Sequence, residues 1–186
     1  MKHHPVLPKE RILETALKLF HEQGYNTTGI NQIISEAGVA KASLYLHFKS
    51  KEDLGVEYLK ARHAIWYEQL LSFTNESKKE KKKILATFDF LIDINEKENF
   101  RGCSFLNMLS EIQPDESKLL AVIQDYKQEL RKFFADTMEN PKDNLSDTVY
   151  LLFEAAMQES QLFKSQWPVE KAKKIVSDLY KLKYFK

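Results

Sequence analysis

Lys41, Ser43, Tyr45 and His47 put an ammonium, a hydroxyl, a phenol and an imidazole within seven residues, interleaved with Leu44 and Phe48. On a helix, Leu44 and Phe48 stand four residues apart and turn together toward a core, which leaves the polar tips outside. Donors of this kind suit phosphate oxygens and base edges, and Lys49 and Lys51 add charge beside them. The start of the next helix offers backbone amides to the same anions. Bond-breaking chemistry finds no support. The five histidines (His3, His4, His21, His47 and His63) pair with neither Cys103 nor a carboxylate in a catalytic or metal-binding spacing. No glycine-rich phosphate loop occurs either, so neither enzyme activity, a metal nor a cofactor is expected.

Local sequence signals position this set. Ile12, Leu13, Ala16, Leu17 and Phe20 form one face of a helix over residues 9–23, and Gly24 supplies its stop. Thr27 and Thr28 are candidate caps for a short second helix through Ile30, Ile33 and Ile34, ended by Gly38. After three residues the polar set forms a third helix over 41–48. Two short helices joined by a tight glycine-containing turn, on a preceding amphipathic helix, make a helix-turn-helix unit. Ser50 and Asp53 read as a capping box opening a long helix to about residue 74.

Residues 75–83 are polar and carry five lysines between 78 and 83, read as a solvated loop and helix start. Beyond them the pattern predicts a helix through Ile84 and Phe88, a polar loop over 95–102 and a short apolar helix over 103–112. A long helix through Leu119 and Phe134 follows, broken at Asn140-Pro141. Two final helices, 145–164 and 169–182, are separated at Pro168. The fold class expected is all-α, with about nine helices and no strands.

Composition agrees. The 186 residues include only five glycines, none after Gly102, and 43% hydrophobic residues. Net charge is +1, and residues 1–60 hold eight Lys/Arg against seven Asp/Glu. A basic coat is therefore excluded, and any DNA binding rests on arrangement. The single cysteine, Cys103, rules out an internal disulfide and a cysteine zinc site, and fits a reducing cytoplasm. No apolar run is long enough to span a membrane or to act as a signal core, so a cytoplasmic protein is expected.

The order Phe20, Gly24, Tyr25, Thr28, Ile33, Ala37-Gly38-Val39, Leu44-Tyr45, His47-Phe48, Ser50-Lys51-Glu52-Asp53-Leu54 resembles the N-terminal DNA-binding domain of the TetR family. The resemblance covers about the first third of the chain. It implies a helix-turn-helix domain over 1–50 and a helical ligand-binding and dimerisation domain over 51–186. By position, it implies that Thr28 caps the second helix and touches a phosphate. Lys41, Ala42 and Ser43 would meet base edges or the adjoining backbone, while Tyr45, His47 and Lys51 would hold phosphates. Ala40 and Ala42 depart from the Ser and Gly frequent at those places, and Ser43 from a Thr, so the operator sequence cannot be carried over. The implied partners are a near-palindromic double-stranded operator, a second copy of the chain and a small effector. The implied action is repression relieved by that effector.

In the second half, Phe88, Phe105, Met108, Tyr126 and Phe153 are candidate walls for a largely apolar or aromatic ligand, although core packing explains them equally. Cys103, after Arg101-Gly102 at a helix start, is a candidate ligand contact. It also supports an alternative, an electrophile- or redox-sensing repressor, against the plainer reading of a small buried residue. Leu145, Val149, Leu152, Ala156 and Ser160, with Ala172, Ile175, Val176 and Leu179, are expected to line a four-helix dimer face.

Overall fold

A computed structural model describes residues 7–138 and 145–184, the last two by backbone alone; the Asn140-Pro141 break and His3-His4 lie outside them. Among the described residues there are nine helices and no strand. They are α1 (Pro8–Gln23), α2 (Ile30–Ala37), α3 (Lys41–His47), α4 (Lys51–Thr74), α5 (Glu80–Lys97), α6 (Ser104–Leu109), α7 (Ser117–Thr137), α8 (Leu145–Phe163) and α9 (Trp167–Tyr184). Among the described residues, no helix is long and apolar enough to cross a membrane. The chain forms two compact units, Met1–Ala64 with Ser104–Asp125, and Ile65–Cys103 with Tyr126–Lys186.

The first unit begins where sequence signals are strongest. Pro8 occupies the first turn of α1, where a missing N–H costs nothing. Ile12, Ala16, Leu19 and Phe20 bury the inner face of that helix. Gly24, at φ +96°, lets the chain leave α1, and Gly38, at φ +62°, closes α2 in a left-handed turn. Arg11 Nη1 donates to Gly38 O (3.3 Å), tying α1 to the turn before α3. Ser50 Oγ accepts from Asp53 N–H (3.0 Å), so the expected cap opens α4.

Thr28 departs from expectation. It is fully buried, and its hydroxyl reaches back to Gly24 O (2.7 Å) and Leu19 O (3.3 Å). Gly29 opens α2, without a side-chain cap. Thr28 therefore closes the turn after α1 rather than capping α2.

The second unit is built on aromatic rings. Phe88, Phe134 and Phe153 are fully buried, with Phe153 5.8 Å from Phe88 and 5.4 Å from Phe134 between ring centroids. Trp66 meets Phe90 edge-on at 5.1 Å. Such tilted pairings present ring edges to ring faces, the electrostatically favoured arrangement. Two expectations shift here. Residue 95 does not begin a loop: Asn95 lies inside α5, buried, and donates from Nδ2 to Gln166 Oε1 (3.1 Å). The turn comes later, with positive φ at Asn99, Phe100 and Gly102. Pro168 does not separate the last two helices but sits in the first turn of α9, where proline is tolerated.

The stripe expected to form the dimer face turns inward. Val149, Ala156 and Ser160 of α8 and Ala172 and Val176 of α9 are buried, and Leu145, Leu152 and Leu179 are half-buried. Ile175, at 38% exposure, is the outward member of that set. The outward stripe of α8 is instead Leu151, Ala155 and Leu162, and α9 adds Leu182. Adjacent pairs such as Leu151-Leu152 and Ala155-Ala156 give α8 apolar residues on both faces, which is why its orientation was ambiguous.

Candidate nucleic-acid interface

Leu44 and Phe48 are buried to within 2% of complete, so α3 is fixed by one side. Its opposite side is open. Lys41, Ala42, Tyr45, Leu46 and His47 are exposed, and Ser43 is half-buried. Tyr45 keeps 44% of its surface exposed. Ala40 is the N-cap of α3 and offers no side-chain bond to the helix start. His47, with Lys9, Lys49, Lys60 and Lys118, lines an open groove of about 750 Å³ beside α3. Two of those cations are neutralised locally, Lys60 by Glu57 (2.7 Å) and Lys118 by Asp53 (2.6 Å).

This arrangement brings Lys41, Ala42, Ser43, Tyr45 and His47 onto one short helix with a shared outward aspect. Lys51 is placed differently. It is half-buried, and its ammonium lies 4.3 Å from the centroid of the Tyr25 ring. Burial pulls its pKa down from the usual lysine value, against the opposing fields of Glu116 and Glu111.

Sequence reasoning missed the polar frame behind the interface. Glu111 Oε2 accepts from Asn26 N–H (2.7 Å), while Asn26 Nδ2 donates to Glu111 O (2.6 Å). Tyr25 donates its phenol to Glu116 Oε1, and Glu52 Oε1 accepts the Lys118 backbone N–H (2.9 Å) at the start of α7. Burial, then that bond to Glu116, drive the Tyr25 pKa far above its ordinary value, so the phenol stays protonated as a donor. These partners lie 66 to 91 residues apart, beyond any local pattern.

The residues proposed for a ligand separate. Phe105 and Met108, both buried, belong to the first unit; Phe88, Cys103, Tyr126 and Phe153 belong to the second. Phe88 and Phe153 serve as core. Cys103 is 5% exposed, and the cation at its sulfur is Lys127, whose Nζ lies 3.2 Å from Sγ. Lys127 also pairs with Glu154 Oε2 (2.6 Å), both side chains being largely buried. The other carboxylate oxygen of Glu154 and Gln158 Nε2 are enclosed without hydrogen-bond partners. Burial opposes the charge on Lys127, but Cys103 and Glu154 outweigh it and raise its pKa.

Residues 12–58 match the model for bacterial regulatory proteins of the tetR family. Over 50 residues the chain is 54% identical to the HTH-type transcriptional regulator LmrA of Bacillus subtilis, a match covering 26% of this chain and 27% of LmrA. Over 180 residues it is 24% identical to IcaR of Staphylococcus aureus, a negative transcriptional regulator of the biofilm operon icaADBC, covering 91% of this chain and 93% of IcaR. The solved structure of SCO4454, a TetR-family transcriptional regulator from Streptomyces coelicolor, superposes with a TM-score of 0.76 at 26% identity, covering 92% and 93%. High identity is thus concentrated in the helix-turn-helix, and the likeness of fold runs through nearly the whole chain. Residues 12–58 thus form a DNA-binding domain of the tetR family, and the chain as a whole shares the fold of TetR-family transcriptional regulators.

Proposed function

We propose that the chain is a cytoplasmic, homodimeric repressor that grips a near-palindromic operator through α3 and releases it when a small ligand binds. The observation that carries this reading is the division of α3. Leu44 and Phe48 are locked into the core while Lys41, Tyr45 and His47 stand exposed. Residues 1–50 serve DNA reading, and residues 51–186 serve dimerisation and ligand response. The near match in length to IcaR, a negative regulator, supports repression. Leu151, Ala155, Leu162, Ile175 and Leu182 offer an apolar face suited to a second copy.

The ligand site belongs in the second unit, near Phe88, Tyr126 and Phe153. The largely apolar or aromatic ligand would meet a few orienting polar groups, for which Glu154 and Gln158 have unpaired atoms. Ligand binding shifts the population toward a state whose paired α3 helices no longer match the DNA repeat, with the long α4 as lever. A second reading, thiol sensing through Cys103, is favoured by the Lys127 ammonium at its sulfur.

A mobility-shift assay with genomic fragments at two salt concentrations tests the proposal. The dimer retards a subset of fragments, and affinity falls steeply as salt rises. Lys41→Ala weakens binding and lowers the salt slope by about one. Retardation without sequence selectivity, or none at all, would contradict the reading.

A further inference from the structure

The side of α3 that faces directly away from the protein is apolar. A helix turns about 100° per residue, so positions two before and two after Leu44 point within about 20° of directly opposite it. Those positions are Ala42 and Leu46, four residues apart and therefore on one ridge. Leu46 is 79% exposed, the most exposed of the large apolar side chains among the described residues. By the same geometry the Tyr45 phenol and the Ser43 hydroxyl flank this ridge, about 60° to either side, and Lys41 and the imidazole of His47 lie farther round, about 100° from it.

We infer that Ala42 and Leu46 form a methyl-reading ridge, selecting thymines in the operator by apolar contact with their C5-methyl groups. This rests on the proposed DNA-binding role of α3 and adds what that helix recognises. Neither side chain carries a donor or acceptor, so neither reads the O6 and N7 of guanine, the N4 amino group of cytosine or the N6 and N7 of adenine. The thymine methyl is the one apolar mark a base pair displays in the major groove. The flanking polar tips are free to hold phosphates, and they keep the ridge over the base edges. An apolar ridge bordered by hydroxyls, with the Lys41 ammonium on the same helix, fits a methyl-bearing polyanion, whereas a protein partner would gain little from that cation beside it. The operator is accordingly expected to place thymines beneath each α3, in symmetry-related halves.

The test begins with duplexes selected from a random pool by the full-length protein. Each thymine is then replaced by uracil, which removes only the C5-methyl group. The inference predicts one or two positions per half-site where the replacement weakens binding about fourfold, the effect of one buried methyl group. Leu46→Ala keeps its fold, checked by circular dichroism, since the side chain is not part of the core. It binds the thymine duplex about as weakly as the unaltered protein binds the uracil duplex. It also no longer distinguishes the two at the position under Leu46.

Selected duplexes insensitive to uracil at every position would overturn the inference and leave DNA binding standing. Sensitivity persisting unchanged in both Leu46→Ala and Ala42→Gly would overturn it as well. Failure to select any duplex would overturn both the DNA-binding reading and the inference.

Discussion

The two compact units are held together by different physics. In the first, a modest apolar core is framed by long-range polar bonds: Tyr25 to Glu116, Asn26 to Glu111, and Glu52 to the first turn of α7. In the second, edge-to-face rings dominate, and the polar groups among them include the buried Asn95 and the largely buried pair Lys127–Glu154. Directional bonds fix orientation, which suits a helix proposed to present a few side chains to DNA. Ring clusters supply bulk burial instead, in the unit proposed to admit a ligand. The units also differ in what they leave open, a polar-flanked ridge on α3 in one and an apolar face on α8 and α9 in the other.

The comparison breaks most visibly at Phe153. Its ring is fully buried between Phe88 and Phe134, so Phe153→Ala is expected to cost about 3–5 kcal/mol in denaturant unfolding. A loss below about 1 kcal/mol would mean that the ring cluster is not what holds the second unit.

Lys127→Ala comes next. It strands Glu154 in a largely buried place and is expected to cost about 3 kcal/mol, whereas replacing both Lys127 and Glu154 by Met restores most of it. If the double variant is no better than the single, the pair is a net stabiliser rather than a costly polar insertion.

In the first unit, Gly24→Ala tests the polar frame. A Cβ there would meet Glu111 Oε1 at 2.8 Å, on a backbone at φ +96°. The expected loss is about 1–3 kcal/mol, accompanied by weaker protection of the Asn26 amide from hydrogen exchange. Unchanged protection would show that Glu111 does not hold that turn.

The smallest effect is acid sensitivity. Lys174 and then Lys181 hold the Asp178 carboxyl at about 2, below its ordinary 3.8, and Lys118 lowers Asp53 in the same sense. A carboxyl depressed in the folded state contributes stability above its unfolded pKa and loses it as pH falls through the folded value. Unfolding measured between pH 6 and 2 should therefore show a slight deficit in Asp178→Asn at pH 6. That deficit fades between about pH 4 and 2. A constant deficit would contradict the assignment.

The three N-terminal helices were legible in the sequence because their signals are local: Gly24, Gly38, and the four-residue spacing of Leu44 and Phe48. Thr28 was misjudged because a hydroxyl before a helix satisfies either the helix ahead or the turn behind, and only tertiary burial decides. Leu46 stands in an apolar-rich stretch between the buried Leu44 and Phe48, and tertiary structure alone leaves it on the open face. The Lys127–Glu154 pair bridges α7 and α8, 27 residues apart, and no local period encodes it. The inward face of α8 was equally hidden, since its apolar residues occupy both sides of the helix.

The central claim, that two copies present α3 to one duplex, is tested most directly by hydroxyl-radical footprinting of the full-length protein on a selected duplex. The account predicts two symmetric protected patches whose centres lie one helical turn apart, about 10 base pairs, or a multiple of it. Protection of a single patch, or uniform protection along the duplex, would contradict it.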